Sequence, residues 1–471
     1  MDEQNAFLGR KRIGSLLFKF AVPCVASLLI SALYNVVDQL FIGNSEIGFL
    51  GNKATTIVFP LTILALALSL WIGDGTASFM ALAQGKKETK GLGFSVRASL
   101  IIGMVVAILF TLFSLVFIKE ILTFLGASGE TYELSYQYGL IVLAGIPAYF
   151  FLNILNPIIR SDGSPLLAMI AQCSGAVINI ILDPIFIFVF KLGIQGAAYA
   201  TIIGQVVSGL ISLMYLFRSK TFHLSLKSLA SGFSDLPKML AFGFSSFLLQ
   251  MSIVLVTVVS DMVLIKVGAT SEYGSDIPVA VFGIAFKVFT IVVNIPLGIA
   301  LGGVPIIGYN QGAGNIKRVK KTIAIILWWT LGISLAFTLL FEIFPLPVIR
   351  LFGSESETYE KFAVLTFRIY LSCLILTSLM RVLSVLFQAL GKPVLGTFVS
   401  LLRDLCLLLP LTALLPSLLG INGFFYSAPI SDLVSFFVVG IISLLALKKL
   451  FAKPKECEKE DNPNLEMIKP S

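Results

Sequence analysis

Asn179 and Asp183 lie four residues apart in SGAVINIILDPIFIF, an otherwise apolar run at 174–188. Four residues is about one helical turn, so the amide and the carboxylate share a helix face. A carboxylate at membrane depth is costly and is kept where it faces a protein interior or a wet cavity, so the pair marks a candidate functional site. Two further residues reach the same level. The next helix begins after a short turn near Lys191, and at about 1.5 Å per residue Asp183 and Thr201 lie roughly 12 and 15 Å below that turn. Asp38 is a few residues from the outer end of the first helix, in the same leaflet. Asp38, Asn179, Asp183 and Thr201 supply hard oxygen ligands and titratable groups, which together bind Na+ or H+. A structural reading stands beside this one. A threonine in a membrane helix commonly bonds a carbonyl of its own helix, and an asparagine bridges helices. The aspartates fit that reading less well, because burying an ionisable group for packing alone is expensive.

What must position these residues is a helix bundle in lipid. The chain has 471 residues, 57% hydrophobic and 13% charged, with 39 Phe, a composition unlike that of a water-soluble globule. Spans of about 20 apolar residues recur along it, whereas a transmembrane barrel would show short alternating segments. A first helix is expected from about Ser15 to Ile42, followed by eleven at 54–83, 94–118, 136–158, 165–189, 193–217, 238–266, 278–309, 320–343, 362–387, 394–416 and 420–447. The expected fold class is therefore an all-α polytopic membrane protein with twelve transmembrane helices. The first run contains Pro23 and Asp38 and lacks a small-residue cleavage site, so it reads as a retained helix. Cys24, Cys173, Cys373 and Cys406 fall inside spans and Cys457 in the tail, with no metal or disulfide spacing.

Loop charge sets the orientation. Lys and Arg concentrate in the N-terminus, in QGKKETKGLG, in the connection at 218–238, in NQGAGNIKRVKK and from Lys448 onward, while the opposite loops hold Glu130, Glu133, Glu272, Asp276, Glu355, Glu357 and Glu360. Both termini are then cytoplasmic, and the net charge of +8 reflects the positive-inside rule, with no nucleic-acid partner expected.

Internal repeats divide the chain. LGIQGAAYATIIGQ at Leu192 matches LGINGFFYSAPISD at Leu419, and Gly193, Gly196 and Tyr199 fall on Gly420, Gly423 and Tyr426. SDGSP at Ser161 lies opposite ALGKP at Ala389, AQG at Ala83 opposite NQG at Asn310, and VDQLFI at Val37 opposite SDMVLI at Ser260, all at offsets of 223 to 228 residues. Two homologous six-helix halves follow: 1–217, a linker at 218–237, and 238–450, with a tail at 451–471 whose composition predicts disorder. Six is even, so the halves share orientation and should enclose a central cavity. They differ in polarity. Asp38 has a counterpart in Asp261, but Asp183 falls opposite the apolar stretch Leu409 to Leu411 and Thr201 opposite Ala428. The amide and acid cluster thus belongs to the N-terminal half.

Other intramembrane charges are Asp74 in GDG, Lys287, the adjacent Arg403 and Asp404, and Asp432; each reads equally as a structural or gating pair or as a second polar site. Arg160 and Asp162 in IIRSDGSP are expected to cap a cytoplasmic turn, and His223 in the linker to be solvated. The chain carries no GxxxxGK[ST], HExxH or GxSxG, so no nucleotide-hydrolysing or common hydrolase signature, and it is not expected to be an enzyme.

The chain resembles the multidrug and toxic compound extrusion (MATE) family over all twelve helices. The resemblance rests on LYNVVDQLFIG around Asp38, IIRSDGSP, NIILDPIFIF around Asp183, GIQGAAYATIIGQ, PLGIALGGVPIIGYNQGAGNIKRVK and LFQALGKP, in that order and spacing. It looks most similar to the bacterial branch that contains the MepA and DinF proteins. The resemblance implies a V-shaped pair of six-helix bundles in the bacterial cell membrane, exporting organic cations or other amphipathic drugs against inward H+ or Na+ without a further cofactor. It also implies that the family's N-half cation site falls on Asp38, Asn179, Asp183 and Thr201; a C-half coupling acid does not carry over. A monomer working on small amphipathic substrates is expected. Two other functions stay open: a flippase for lipids or lipid-linked saccharides, which calls for a more cationic cavity, and a membrane-embedded transferase, which calls for a catalytic cluster near one surface.

Overall fold

The computed structural model describes residues 7–88, 91–222, 233–274, 276–350 and 357–452. Twelve long helical elements run through it: α1 (Ile13–Gly43), α2 (Gly48–Gly85), α3 (Leu92–Val116), α4 (Glu130–Ser161), α5 (Pro165–Val189), α6 (Gly193–Leu216), α7 (Leu236–Gly268), α8 (Asp276–Gly312), α9 (Ile316–Ile343), α10 (Glu357–Tyr370 and Leu374–Ala389), α11 (Pro393–Leu419) and α12 (Ile421–Ala452). Eleven are single helices long and apolar enough to cross a membrane, and α10 makes a twelfth, bent by 50° at its break. Apolar side chains such as Leu109, Phe113 and Val116 on α3 and Phe437 and Leu444 on α12 are exposed, as a lipid-facing surface requires. The linker residues 223–232, His223 among them, and the tail from Lys453 lie outside the described residues.

The sequence repeat is visible in backbone geometry. The turns SDGSP and ALGKP both place glycine in the left-handed region, Gly163 at φ 83° and Gly391 at φ 73°, and both then start a helix on proline, whose missing N–H costs nothing there. Asp162 holds the first of these turns. It accepts from the backbone N–H of Lys220 at 2.7 Å and of Thr221 at 3.0 Å, from the Tyr215 hydroxyl at 2.5 Å and from the Thr221 hydroxyl. Burial pushes this carboxyl above the ordinary carboxylate range, and those hydrogen bonds oppose the shift. Arg160, expected to share the capping, turns inward to Asp74 instead.

The molecule is a V of two lobes with its apex at the end bearing the basic loops. There α2 packs on α7 and α8, and α1 on α8, at backbone-to-backbone distance. A Cβ on Gly243 would lie 1.7 Å from the Trp71 carbonyl oxygen, one on Gly75 2.1 Å from that of Met239, and one on Gly85 2.0 Å from that of Tyr309. Only residues without a side chain permit this seam. The Trp71 indole N–H adds a bond across it, to Leu240 O at 2.8 Å. α1 belongs to both lobes. Leu16, Leu17, Phe20 and Ala21 sit in one apolar core with Ile299, Ala300 and Val304 of α8, whereas Ile42, at its other end, joins the core of the N-terminal lobe.

Candidate ion site and the charged cluster of the second lobe

In the N-terminal lobe the candidate site starts from how closely α5 and α6 approach. Gly175 and Gly204 face each other, a Cβ on Gly204 meeting the Gly175 carbonyl oxygen at 2.6 Å and the Asn179 Cβ at 3.5 Å. One turn beyond this crossing, Asn179 reaches both ways. Its Nδ2 donates to Asp183 Oδ1 at 3.3 Å within α5 and to Thr201 Oγ1 at 3.3 Å on α6. Pro184 then removes a backbone donor, and Ile185–Val189 continues as a widened π-helical turn, a distortion found often at functional sites.

α1 completes the set. The carboxyls of Asp38 and Asp183 are close enough to interact, and the phenols of Tyr34 and Tyr138 lie near them. Asp183 is fully buried, and Asn179 and Asp38 are exposed by 2% and 9%. Two carboxylates this close repel unless a proton or a cation lies between them. Among the described residues, three acceptor oxygens here have no donor: Asp38 Oδ1, Asn179 Oδ1 and Asp183 Oδ2. A buried acceptor without a partner is costly, so this donor set fits a proton or a hard cation. The structure brings together all four residues singled out in the sequence, and neither Asn179 nor Thr201 is confined to bonding within its own helix.

The C-terminal lobe holds a cluster that the repeat did not reveal as one. Arg403 Nε donates to Asp432 Oδ1 at 2.8 Å, one terminal nitrogen to Asp404 Oδ1, and the other to Thr377 Oγ1 at 3.2 Å. Ser252 donates to Asp404 Oδ2 at 2.9 Å and Thr377 to Asp432 Oδ2 at 2.7 Å, so every oxygen of both carboxyls is engaged. Arg403 and Asp404, adjacent in sequence, both turn into the lobe because Leu401–Leu408 is a π-helical stretch with wider turns. Arg381 stands beside them, 3.7 Å from Asp404 Oδ2. Sequence reasoning missed Arg381, although an arginine in the apolar run LILTSLMRVLSVLF was the available signal.

The remaining flagged charges separate. Asp74 pairs with Arg160 at 3.6 Å beside the seam, in a small cavity also lined by Leu301, Pro305 and Gln388 of the other lobe. Asp261 is half-buried, Lys287 is exposed, and neither forms an ion pair among the described residues.

Comparison with known proteins agrees with this architecture. The MatE family model matches residues 23–185 and 250–414, once in each lobe. Multidrug export protein MepA of Staphylococcus haemolyticus (strain JCSC1435) is 26% identical over 453 residues, spanning 94% of this chain and 95% of that protein. A multidrug resistance MATE family transporter of the MOP superfamily in its outward-facing conformation superposes with a TM-score of 0.88 at 25% identity, over 96% of this chain and 99% of its own. A MOP superfamily transporter from Pyrococcus furiosus Vc1 (DSM3638), described as having a binding pocket of reverse polarity, superposes with a TM-score of 0.86 at 25% identity, over 95% and 98%.

Proposed function

The chain belongs to the MatE family, and on that premise we propose that it is a secondary active exporter of amphipathic, mostly cationic drugs, driven by inward movement of H+ or Na+. The observation that carries the ion-coupled reading is the group of unpartnered buried oxygens on Asp38, Asn179 and Asp183. With a proton or Na+ among them the two carboxyls are held together; without it they repel. Asp38 lies on α1, whose opposite end is packed against α8 of the other lobe. A movement of Asp38 is therefore transmitted along α1, past Pro23, to the seam between the lobes. In the arrangement described, the seam is closed at the basic end and the cleft opens at the other, which corresponds to an outward-facing exporter whose bound drug has access to the outside. Return to the inward-facing form needs the glycine seam to part.

The test is ethidium transport in proteoliposomes under a proton gradient and, separately, a sodium gradient. Uptake against the ethidium gradient with one ion supports the reading. Ethidium movement that neither gradient drives contradicts it.

A further inference from the structure

The bases at the cytoplasmic end are gathered at one corner by specific contacts. The short helix Phe7–Arg10, ahead of α1, is tied to the C-terminal lobe. Asn310 Nδ2 donates to Leu8 O at 3.1 Å, and the Arg318 guanidinium donates to Leu8 O at 3.1 Å and to Lys11 O at 2.6 Å. The segment so held presents the Phe7 ring, stacked on Phe20 of α1, to two lysines: the ammonium of Lys11 lies 5.8 Å from its centroid and that of Lys19 5.6 Å. Lys19 lies about 9 Å along α1 from its first residue, and its apolar stem brings the charge back to the ring. Lys220, of the connection between the lobes, is close enough to Lys19 for their charges to repel, and its ammonium donates to Gly163 O at 3.1 Å. The acid of this region, Asp162, is buried and already accepts four hydrogen bonds. Among the described residues, Lys11, Lys19 and Lys220 have no carboxylate within ion-pair distance. Like charges that converge without an acid between them repel unless an anion joins them. Beside Lys19 on α1 the surface is apolar, with Phe18 exposed by 61% and Val22 by 46%. A cationic rim above exposed apolar side chains at the membrane surface matches a phosphate with acyl chains beneath it.

We infer that this corner binds the phosphate of an anionic glycerophospholipid of the cytoplasmic leaflet, with Lys11, Lys19 and Lys220 donating to its oxygens and Phe18 and Val22 lying against an acyl chain. The inference goes beyond the export reading and does not depend on it. Lys11 is held by Arg318 of α9 and Lys220 by the Gly163 turn of the N-terminal lobe, so the lipid joins the two lobes at the end where the seam closes. In the competing account the three lysines only add to the diffuse attraction of all the basic loops for an anionic membrane, and then any two exposed lysines at this end contribute equally.

The experiment offers the purified full-length protein equimolar phosphatidylglycerol and phosphatidylcholine with the same acyl chains and counts the retained lipid by native mass spectrometry. Wild type is expected to retain phosphatidylglycerol at least about tenfold in preference to phosphatidylcholine, and Lys11→Gln, Lys19→Gln to cut that preference at least about fivefold. Lys238→Gln, Lys392→Gln removes the same charge from two other exposed lysines at the basic end and should leave the preference within about twofold of wild type. Should the first variant not give monodisperse protein, Lys19→Gln alone replaces it and must cut the preference at least about threefold. Equal retention of the two lipids by wild type overturns the site, as does an equal loss in both double variants. Inorganic phosphate equimolar with the lipid should leave the bound lipid in place, because it makes no apolar contact; displacement by it would assign the corner to a free anion and overturn the lipid assignment.

Discussion

Asn179 donates to Asp183 Oδ1 at 3.3 Å and leaves Oδ2 of the same carboxyl buried with no donor among the described residues. The amide orients the carboxyl while its second oxygen remains free for an ion. Asp183→Asn replaces that oxygen with a donor or a second amide oxygen and removes the charge. Gradient-driven ethidium efflux should fall at least about tenfold, with unfolding temperature unchanged or raised, because a buried charge has been removed. Wild-type efflux from this variant in proteoliposomes would assign coupling to other residues.

The seam makes a separate prediction. A side chain at Gly243 has no room, its Cβ meeting the Trp71 carbonyl oxygen at 1.7 Å, so Gly243→Val should bias the lobes apart at the basic end. A cysteine replacing Ser78, 1% exposed beside the seam, should then react with a membrane-impermeant thiol reagent added from the cytoplasm several-fold faster than in the Gly243 protein. An unchanged rate would mean that the seam does not gate access.

Arg403 is predicted to be structural. Arg403→Gln leaves Asp404 and Asp432 buried with a single cation nearby, a change that typically costs about 3–5 kcal/mol. The unfolding temperature followed by tryptophan fluorescence should drop clearly, and adding Asp432→Asn should recover part of the loss. Equal unfolding temperatures for wild type and Arg403→Gln would remove this role.

Orientation is tested by single cysteines. Those at Lys87 and Ile316 should be labelled from the cytoplasm, and those at Ser128 and Glu272 from outside, because base concentrates at the first pair's end. Reversed labelling would invert the inferred direction of transport.

The N-terminal site was legible because its parts announce themselves locally. Asn179 and Asp183 are one turn apart in an apolar run, and Thr201 is brought level by a short turn in which Lys191 takes a left-handed φ of 55°. Helix limits were also readable, since apolar runs end at Gly, Pro and charged residues. The second cluster was not, for two physical reasons. At the repeat offset of 227 residues, Arg381, Arg403 and Asp404 fall opposite Ile154, Ala176 and Val177, so the comparison between halves is silent about them. Adjacent residues on a regular helix point about 100° apart, so only the π-helical stretch, invisible in the sequence, turns both Arg403 and Asp404 inward. The seam depends likewise on pairs such as Gly75 and Gly243, far apart in the chain and ordinary in isolation.

The site formed by Asp38, Asn179, Asp183 and Thr201 is proposed to exchange an ion whose binding opposes that of the drug. The decisive measurement is the ethidium affinity of the purified protein from about pH 8.5 to about pH 5.5 and with added Na+. Binding of the coupling ion should weaken ethidium at least about fivefold, and the Asp38→Asn, Asp183→Asn double variant should show a flat response. Affinity that is unchanged across both series, or that changes equally in the double variant, would contradict the claim.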